Sequence, residues 1–193
     1  MFELDLEEVR RRAGELSQLR LLRAIILKSG VLRPEAMAVY REVFAERFGS
    51  LEDLCDRADD LLGEVEFEIP GVERMASLRS DRDPSQGVLV ASDRGLGFRP
   101  CASSMSLPLP LLAELDPGTG AWAPLDRIDH VELWSPRSAH VVMRLVRRKG
   151  SRVAFRVPDS GQGQLEPWLE SREIPVFRRK TLFDQLGSRW RRG

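Results

Sequence analysis

Histidine and cysteine, the residue types that most often supply nucleophiles, proton carriers and metal ligands, occur only twice each in the 193 residues of this chain. His130 follows Asp129 in a stretch with strand periodicity, where neighbouring side chains point to opposite faces. His140 begins a second such stretch. Catalysis of the Ser-His-Asp type also needs a nucleophile in a strained turn, and no motif supplies one. We therefore expect neither histidine to be catalytic.

Motifs for metal or nucleotide binding are also missing from the sequence. It contains no Cys-x-x-Cys or His-Glu-x-x-His, and Cys55 and Cys101 fall in different predicted elements. Residues 160–164 (SGQGQ) lack the third glycine and the Lys-Ser/Thr of phosphate-binding loops, so they predict a plain turn between a strand and a helix. The sequence thus predicts a protein that is not an enzyme and has no cofactor.

Arginine is the residue type with the strongest case for a binding role, because its planar guanidinium binds carboxylates and phosphates through paired hydrogen bonds. Three of the 30 basic residues are lysines, and the rest are arginines scattered along the chain. A codon bias toward arginine would explain that excess without any function. Three arginines nevertheless share one predicted face of a β-hairpin, which is either a surface for an anion or partner or a solvated face: Arg144, Arg152 and Arg156.

The C-terminal segment 174–193 combines positive charge with apolar residues. Its six basic residues and one acidic residue give a net charge of +5, and its apolar residues recur near helical spacing. A helix here would be basic and amphipathic, like helices that bind membrane surfaces or partner grooves. A disordered basic terminus is the alternative. The candidate binding residues are Arg178, Arg179, Lys180, Phe183, Leu186, Arg189 and Trp190.

An acidic block over residues 50–68 is the counterpart of this tail. It holds eight acidic residues and one basic residue, a net charge of −7. The two blocks could attract each other, within one chain or between chains. Because exposed ion pairs contribute only about 0–1 kcal/mol each, apolar residues such as Phe183 and Trp190 must supply most of any affinity.

The overall composition excludes several classes of protein. The 30 basic and 30 acidic residues cancel, whereas a dedicated nucleic-acid-binding protein is usually basic. No apolar run approaches the ~20 residues needed to span a bilayer, and the N-terminus lacks a signal-peptide pattern. Two cysteines are too few for a disulfide framework. We expect a cytoplasmic protein whose 42 % apolar residues build the core of one or two domains.

Apolar periodicity predicts three helices in the N-terminal third of the chain. One apolar stripe over residues 6–26 predicts a single first helix, with Asp5 as its N-cap. Pro34 suits the first position of the second helix. Ser50 and Asp53 form a capping-box-like pair that begins the third helix. The buried side of that third helix includes an inert cysteine, Cys55.

After Gly63 the apolar period changes to two, which predicts strands. Residues 87–99 predict a hairpin whose three-residue loop is Asp93-Arg94-Gly95, with Gly95 in the left-handed conformation. That loop would place Ser92 opposite Leu96.

A second predicted hairpin has the loop 148–150, with its glycine again in the left-handed position. This loop pairs Leu145 with Val153 and Met143 with Phe155. A one-residue slip would turn the two apolar sets to opposite sides, so the register is well specified.

The remaining segments complete the predicted domain. Residues 122–134 predict one or two strands, and the proline-rich residues 100–121 predict a long irregular connection. Residues 163–173 predict a short helix with Pro167 in its first turn and Trp168 on its apolar side.

About seven short strands followed by one helix bearing a tryptophan is the layout of pleckstrin-homology-like (PH-like) domains. Residues 88–98 (VLVASDRGLGF) resemble the "vlvlTDrRlxf" hairpin of bacterial members of this family. Residues 124–132 (PLDRIDHVE) resemble their "ipxxdIxxVe" strand, with Ile128 and Val131 at the matching apolar positions. The resemblance covers about residues 65–173. It implies a binding platform for lipids, peptides or other proteins.

Together these patterns predict an α+β fold. A three-helix module (1–63) precedes a PH-like antiparallel β-sandwich or barrel with a C-terminal helix (64–173), and the basic tail (174–193) follows. The expected function is protein–protein interaction, as an adaptor or assembly subunit, with another protein or a second copy as partner. The alternative is peripheral binding to anionic lipid through the sheet arginines and the tail. Nucleic acid is not an expected partner.

Overall fold

The computed structural model describes residues 5–28, 30–75, 85–101, 107–115, 121–134 and 140–179. The chain divides into two compact units, residues 1–60 and residues 61–193. The described residues of the first unit are helical, and those of the second unit form mainly a sheet. The α+β fold predicted from the change of apolar period is therefore confirmed.

The described residues before Gly63 form four helices: α1 (Leu6–Gly14), α2 (Gln18–Leu27), α3 (Pro34–Phe48) and α4 (Leu51–Leu62). The prediction of a single first helix is wrong, because the chain leaves helical geometry after Gly14 and is extended at Ser17. Arg47 of α3 donates from Nη1 to the carbonyl oxygens of Gly14 and Leu16, at 2.7 and 2.8 Å. The break is thus stabilised by a residue distant in sequence, which an apolar stripe cannot reveal.

The predicted helix starts are confirmed. Asp5 accepts, through Oδ1, hydrogen bonds from the N–H groups two and three residues further on, both at 3.1 Å. Pro34 occupies the first turn of α3. The Asp53 N–H donates to Ser50 Oγ at 3.0 Å, and the Ser50 N–H donates to Asp53 Oδ2 at 3.3 Å. This reciprocal pair is a capping box, which satisfies N–H groups that the first helical turn leaves without partners.

The described strands are β1 (Val65–Met75), β2 (Ser85–Ser92), β3 (Gly95–Pro100), β4 (Ala121–Pro124), β5 (Ile128–Trp134), β6 (His140–Arg147), β7 (Arg152–Pro158) and β8 (Val176–Arg178). They form a sheet in the order β4-β3-β2-β1-β7-β6-β5-β8, antiparallel except for the β5–β8 pair. Two further helices are α5 (Leu109–Leu115) and α6 (Asp159–Ser171). The series β1 to β7 followed by α6, which carries Trp168, is the PH-like layout that the sequence predicts.

The main core of the second unit lies between the sheet and α6. Phe98 and Phe155 are almost fully buried there, with ring centroids 5.5 Å apart, and Trp168 of α6 packs against Phe67 of β1. The opposite face of β2, β3 and β4 carries a smaller cluster covered by α5, which consists of Leu62, Val90, Leu109 and Leu112 with Val88 and Trp122 at its margin. The connection 100–121 is therefore not wholly irregular, because its leucines form a buried helix.

The first hairpin differs from its prediction. Ser92 pairs with Gly95, so the loop has two residues and Gly95 belongs to β3. The Ser92 hydroxyl accepts hydrogen bonds from the N–H groups of Arg94 and Gly95, at 3.2 and 3.1 Å, and thereby closes the tight turn. Glycine is needed at position 95 for close packing, since a Cβ there would lie 2.6 Å from the Ala123 carbonyl oxygen.

The second hairpin is confirmed in register and in turn chemistry. Leu145 pairs with Val153, and Met143 pairs with Phe155. Gly150 has a φ of +79°, the left-handed conformation that favours glycine. Two independent constraints therefore agree here, the alternation of apolar residues and the glycine of the turn.

Two C-terminal predictions are wrong. Helix α6 begins directly after Pro158, so residues 160–164 are helical and Pro167 lies in the helix interior rather than in its first turn. Pro167 cannot donate to the carbonyl of Gly163, four residues earlier, but Gly163 is exposed and water can reach that acceptor. Residues 176–178, at the start of the predicted basic tail, form the edge strand β8, and the helix expected further along the tail stays a prediction. The residues with helical spacing, 182–190, lie outside the described residues.

Candidate functional site

The strand register places a mixed set of polar and aromatic residues on the side of β5–β8 that faces away from the core. Glu132 of β5 pairs with Arg144 of β6 and with Phe177 of β8. These residues alternate with core residues such as Val131 and Met143. We call this side the outer face and define it by its described members: His130, Glu132, Trp134, Val142, Arg144, Val146, Arg152, Ala154, Arg156 and Phe177.

Glu132 lies at the centre of the outer face and is only 5 % exposed. Its Oε2 accepts a hydrogen bond from Arg144 Nη1 at 3.0 Å, and its Oε1 accepts one from Arg179 Nη2. Burial by itself would raise the pKa of Glu132, but the two guanidinium groups outweigh burial and hold that pKa below its usual value. Glu132 is therefore a buried anion with two cationic partners.

Aromatic rings pack around this ion-pair network. The Arg144 guanidinium lies over the Trp134 ring, 4.9 Å from its centroid. The His130 and Phe177 rings meet nearly at right angles with centroids 5.0 Å apart. Phe177 itself is 55 % exposed, so the outer face presents an apolar ring to solvent beside the buried Glu132 carboxylate.

His130 and Asp129 do not point to opposite faces, contrary to the expectation from strand geometry. The β5–β6 register shifts between Ile128 and His130, and His130 Nδ1 lies 2.7 Å from Asp129 Oδ2. His130 Nε2 is 3.8 Å from Glu132 Oε1. A bulge of this kind changes the direction of side chains, which strict alternation does not anticipate. The histidine thus serves the packing of Phe177 and the local charge network.

The arginines predicted to bind a partner or anion are mostly paired within the domain. Arg144 and Arg179 share Glu132, Arg156 pairs with Glu73, and Arg178 pairs with Glu166. Arg152 is exposed at the start of β7 and has no ion pair among the described residues. The other predicted site residues lie outside the described residues: Lys180, Phe183, Leu186, Arg189 and Trp190.

The alternative interpretation of the hairpin face, a plainly solvated surface, is contradicted at two positions. Val142 and Val146 lie on it and are only 5 % and 6 % exposed. The sequence pattern could not show this, because Val146 pairs with His130 and Val142 pairs with Trp134, residues of a third strand.

A second charged region, missed by the sequence analysis, lies at one end of the sheet. We call it the basic row and define it by four exposed residues on three connections: Arg94 after β2, Arg127 before β5, and Arg148 and Lys149 after β6. The sequence shows a basic residue in each of these three connections. Only the strand pairing shows that the connections lie close together.

Arg147 lies beside the basic row and is partly buried. Its Nη2 donates to the Trp122 carbonyl oxygen at 2.9 Å. Burial and, to a smaller degree, the nearby Arg127 lower the pKa of Arg147. Arg147 and Arg127 are therefore close enough for their charges to interact.

Among the described residues, no group of three or more His, Cys, Asp or Glu side chains is arranged to hold a metal ion. Across the same part of the chain, no helix is both long enough and apolar enough to cross a membrane.

Comparison with known proteins identifies no family. No family model and no curated protein matches the chain. Similar solved structures include the Spt16D Pob3N heterodimer, at 11 % identity over 63 % of this chain and 58 % of that chain, with a TM-score of 0.43. The match to the hSac2 domain from human phosphoinositide phosphatase Sac2 has 10 % identity over 68 % and 86 % of the two chains, with a TM-score of 0.44. The match to the PH domain of USP37 has 12 % identity over 54 % and 94 %, with a TM-score of 0.35.

This chain therefore spans less than two thirds of the Spt16D Pob3N chain that it matches. At identities of 10 to 12 % and TM-scores of 0.35 to 0.44, these likenesses carry no argument about ligand or activity. The fold description rests instead on the observed strand order and the position of α6.

Proposed function

We propose that this protein is a non-catalytic protein-interaction module, an adaptor or an assembly subunit, built on a PH-like domain and working in the cytoplasm. The outer face is the proposed partner surface, and Phe177 is its exposed aromatic residue. The observation that carries the proposal is that Arg144 and Arg179 are ion-paired with Glu132 of the same domain, beside the exposed Phe177 ring.

Charge pairing supports a protein partner over a membrane surface. An anionic membrane attracts unpaired cations, each contributing about 1 kcal/mol near the lipid. Arg144 and Arg179 instead form ion pairs with Glu132, and Arg156 forms an ion pair with Glu73. Apart from Arg152, the arginines of the outer face are thus ion-paired and lie beside aromatic rings, and both arginine and aromatic residues are enriched in protein interfaces.

The position of β8 adds a second argument. Among the described strands, β8 pairs with β5 alone and lies at the edge of the sheet. An edge strand presents backbone groups to which an extended segment of a partner can pair. Phe177 lies in the middle of this strand, so backbone pairing and burial of an aromatic ring could occur together.

The second candidate function is peripheral binding to anionic lipid through the tail. Its support is the composition of residues 178–193, where basic residues accompany Phe183 and Trp190. Sedimentation with vesicles containing phosphatidylserine separates the two functions, because the proposed protein-interaction module should stay in the supernatant.

The direct test compares the proteins that the full chain and its Phe177→Asp variant retain from a lysate of the source cells. We expect a defined partner to bind the native chain and to be lost with Phe177→Asp, because the substitution places a charge where the ring would be buried. Val31→Asp is the matched control, since Val31 is 83 % exposed and lies in the helical unit.

Two results would contradict the proposal. The first is an identical set of retained proteins for the native chain, Phe177→Asp and Val31→Asp. The second is salt-sensitive binding to the anionic vesicles by the native chain, which would favour the lipid alternative.

A further inference from the structure

The basic row differs from most of the outer face because its cations form no ion pair among the described residues. Arg94, Arg127, Arg148 and Lys149 are all exposed, and none has an ion-pair partner among the described residues. Like charges held close together without counter-ions repel one another. Binding of an external anion lowers the electrostatic repulsion between such cations.

Hydrogen bonds hold the three connections of the basic row side by side. The Leu125 N–H donates to the Arg94 carbonyl oxygen at 3.0 Å, and the Arg148 N–H donates to the Arg127 carbonyl oxygen at 3.0 Å. A 3₁₀ turn joins Leu125 to Arg127 and rises about 2 Å per residue. The backbone positions of the row therefore span on the order of 10 Å, fixed by backbone bonds rather than by flexible side chains.

The nearby carboxylates do not neutralise the positive charge of the basic row. Asp93 and Asp126 lie in the same connections, and neither forms an ion pair with a cation of the row. Asp93 Oδ1 instead accepts the Glu64 N–H at 2.8 Å. Four exposed cations, with Arg147 beside them, therefore exceed the carboxylates of Asp93, Asp126 and the neighbouring Glu64, and this end of the sheet is positive.

We propose that the basic row binds an acidic segment of a partner protein. Extended polypeptide advances about 3.3 Å per residue, so three or four residues match the length of the row. Three of its four cations are arginines, whose guanidinium groups bind carboxylates through paired hydrogen bonds.

A polypeptide fits these observations better than nucleic acid. Single-stranded nucleic acid is held by aromatic side chains on which bases stack. Among the described residues the exposed large aromatic residue is Phe177, which belongs to the outer face and not to the basic row. The formal net charge of the chain is zero, which also disfavours nucleic acid. This inference goes beyond the outer face, so either surface can be tested without the other.

The test measures fluorescence anisotropy of a labelled octapeptide of alternating Glu and Ala, with the Gln–Ala octapeptide as the uncharged probe. Titrations use the full chain at about 50 mM and about 300 mM salt. The variant Arg127→Glu/Arg148→Glu/Lys149→Glu reverses three charges of the row. The matched control is Arg20→Glu/Arg41→Glu/Arg57→Glu, three exposed arginines of the helical unit with the same change in net charge.

We expect the native chain and the control to bind the Glu–Ala peptide at low salt and to lose affinity at high salt. The row variant should bind at least about tenfold more weakly, since three attractive charges become repulsive. If its thermal transition differs from that of the native chain, Arg127→Gln/Arg148→Gln/Lys149→Gln provides the neutral comparison and should bind with reduced affinity.

Three results would overturn the inference. One is equal binding of the Glu–Ala and Gln–Ala peptides by the native chain. Another is an unchanged affinity in both row variants. The third is tighter, row-dependent binding of an eight-nucleotide oligo-dT or of phosphatidylserine vesicles than of the acidic peptide. Phe177→Asp should leave binding of the Glu–Ala peptide unchanged. Failure of the basic-row proposal can therefore be distinguished from failure of the function proposed for the outer face.

Discussion

The carboxylate of Glu132 on β5 accepts a hydrogen bond from the guanidinium of Arg179, the residue that follows β8, and so joins the edge strand to the sheet. The Arg179 N–H also donates to the Leu133 carbonyl oxygen at 2.8 Å. Backbone and side chain of one residue therefore hold β8 in place. Because Glu132 is 5 % exposed, its charge depends on these partners.

Replacing Glu132 by Gln should destabilise the domain. The neutral amide leaves Arg144 and Arg179 without their shared anion, and the expected loss is about 1–3 kcal/mol of unfolding free energy. Urea denaturation measures that loss, and amide hydrogen exchange of residues 176–179 should accelerate. Glu170→Gln, at an exposed position of α6, is the control and should change neither quantity. Unaltered exchange in the Glu132 variant would contradict the role given to the pair.

The same carboxylate should make stability depend on pH. Since the arginines hold the pKa of Glu132 below its usual value of 4.5, the folded protein favours the ionised form more than the unfolded chain does. The resulting stability is fully present above pH 4.5 and is lost as the pH falls through the lowered pKa. Unfolding free energies of the native chain and Glu132→Gln should therefore converge in acid. A constant difference across that range would refute the prediction.

Alanine at two glycines should destabilise the sheet for different reasons. Gly150 has nothing within 4 Å of an added Cβ but has a φ of +79°, so Gly150→Ala should cost about 1 kcal/mol from strain alone. Gly150→Asn should cost less, because Asn tolerates that conformation. Gly95→Ala should cost about 1–3 kcal/mol through overpacking against Ala123 and Trp122. Thermal unfolding measures the stability of each variant. Equal destabilisation by Gly150→Asn and Gly150→Ala would contradict the prediction.

The two cysteines should differ in reactivity. Burial raises the pKa of the Cys55 thiol, and the charges of Asp59 and Asp56 add to this effect. Cys101 is exposed. Iodoacetamide at about pH 8 should therefore modify Cys101 faster than Cys55, with the rates followed by mass spectrometry of digested protein. Cys101→Ser should leave a slowly reacting chain, whereas faster labelling of Cys55 would contradict its assignment as an inert thiol.

Local sequence features determined the helix caps and the second hairpin. Asp5, Ser50 and Asp53 act within three residues of their partners, so no distant contact is needed to predict them. The loop ending at Gly150 was predictable because turn chemistry and apolar alternation select the same register. In the first hairpin Gly95 misled the prediction, since the need for glycine arises from β4 and not from the turn.

The sequence by itself thus determined the α+β class, the change from helices to strands at Gly63, and the identity of the candidate arginines. Only the tertiary structure decided which charges are neutralised and which are free. Glu132 meets Arg179 across a parallel strand pair, and Arg94 lies near Arg127 and Arg148 because separate connections converge at one end of the sheet. Local periodicity reports on neighbours along the chain, whereas an ion pair depends on distances of a few ångströms between residues far apart in sequence.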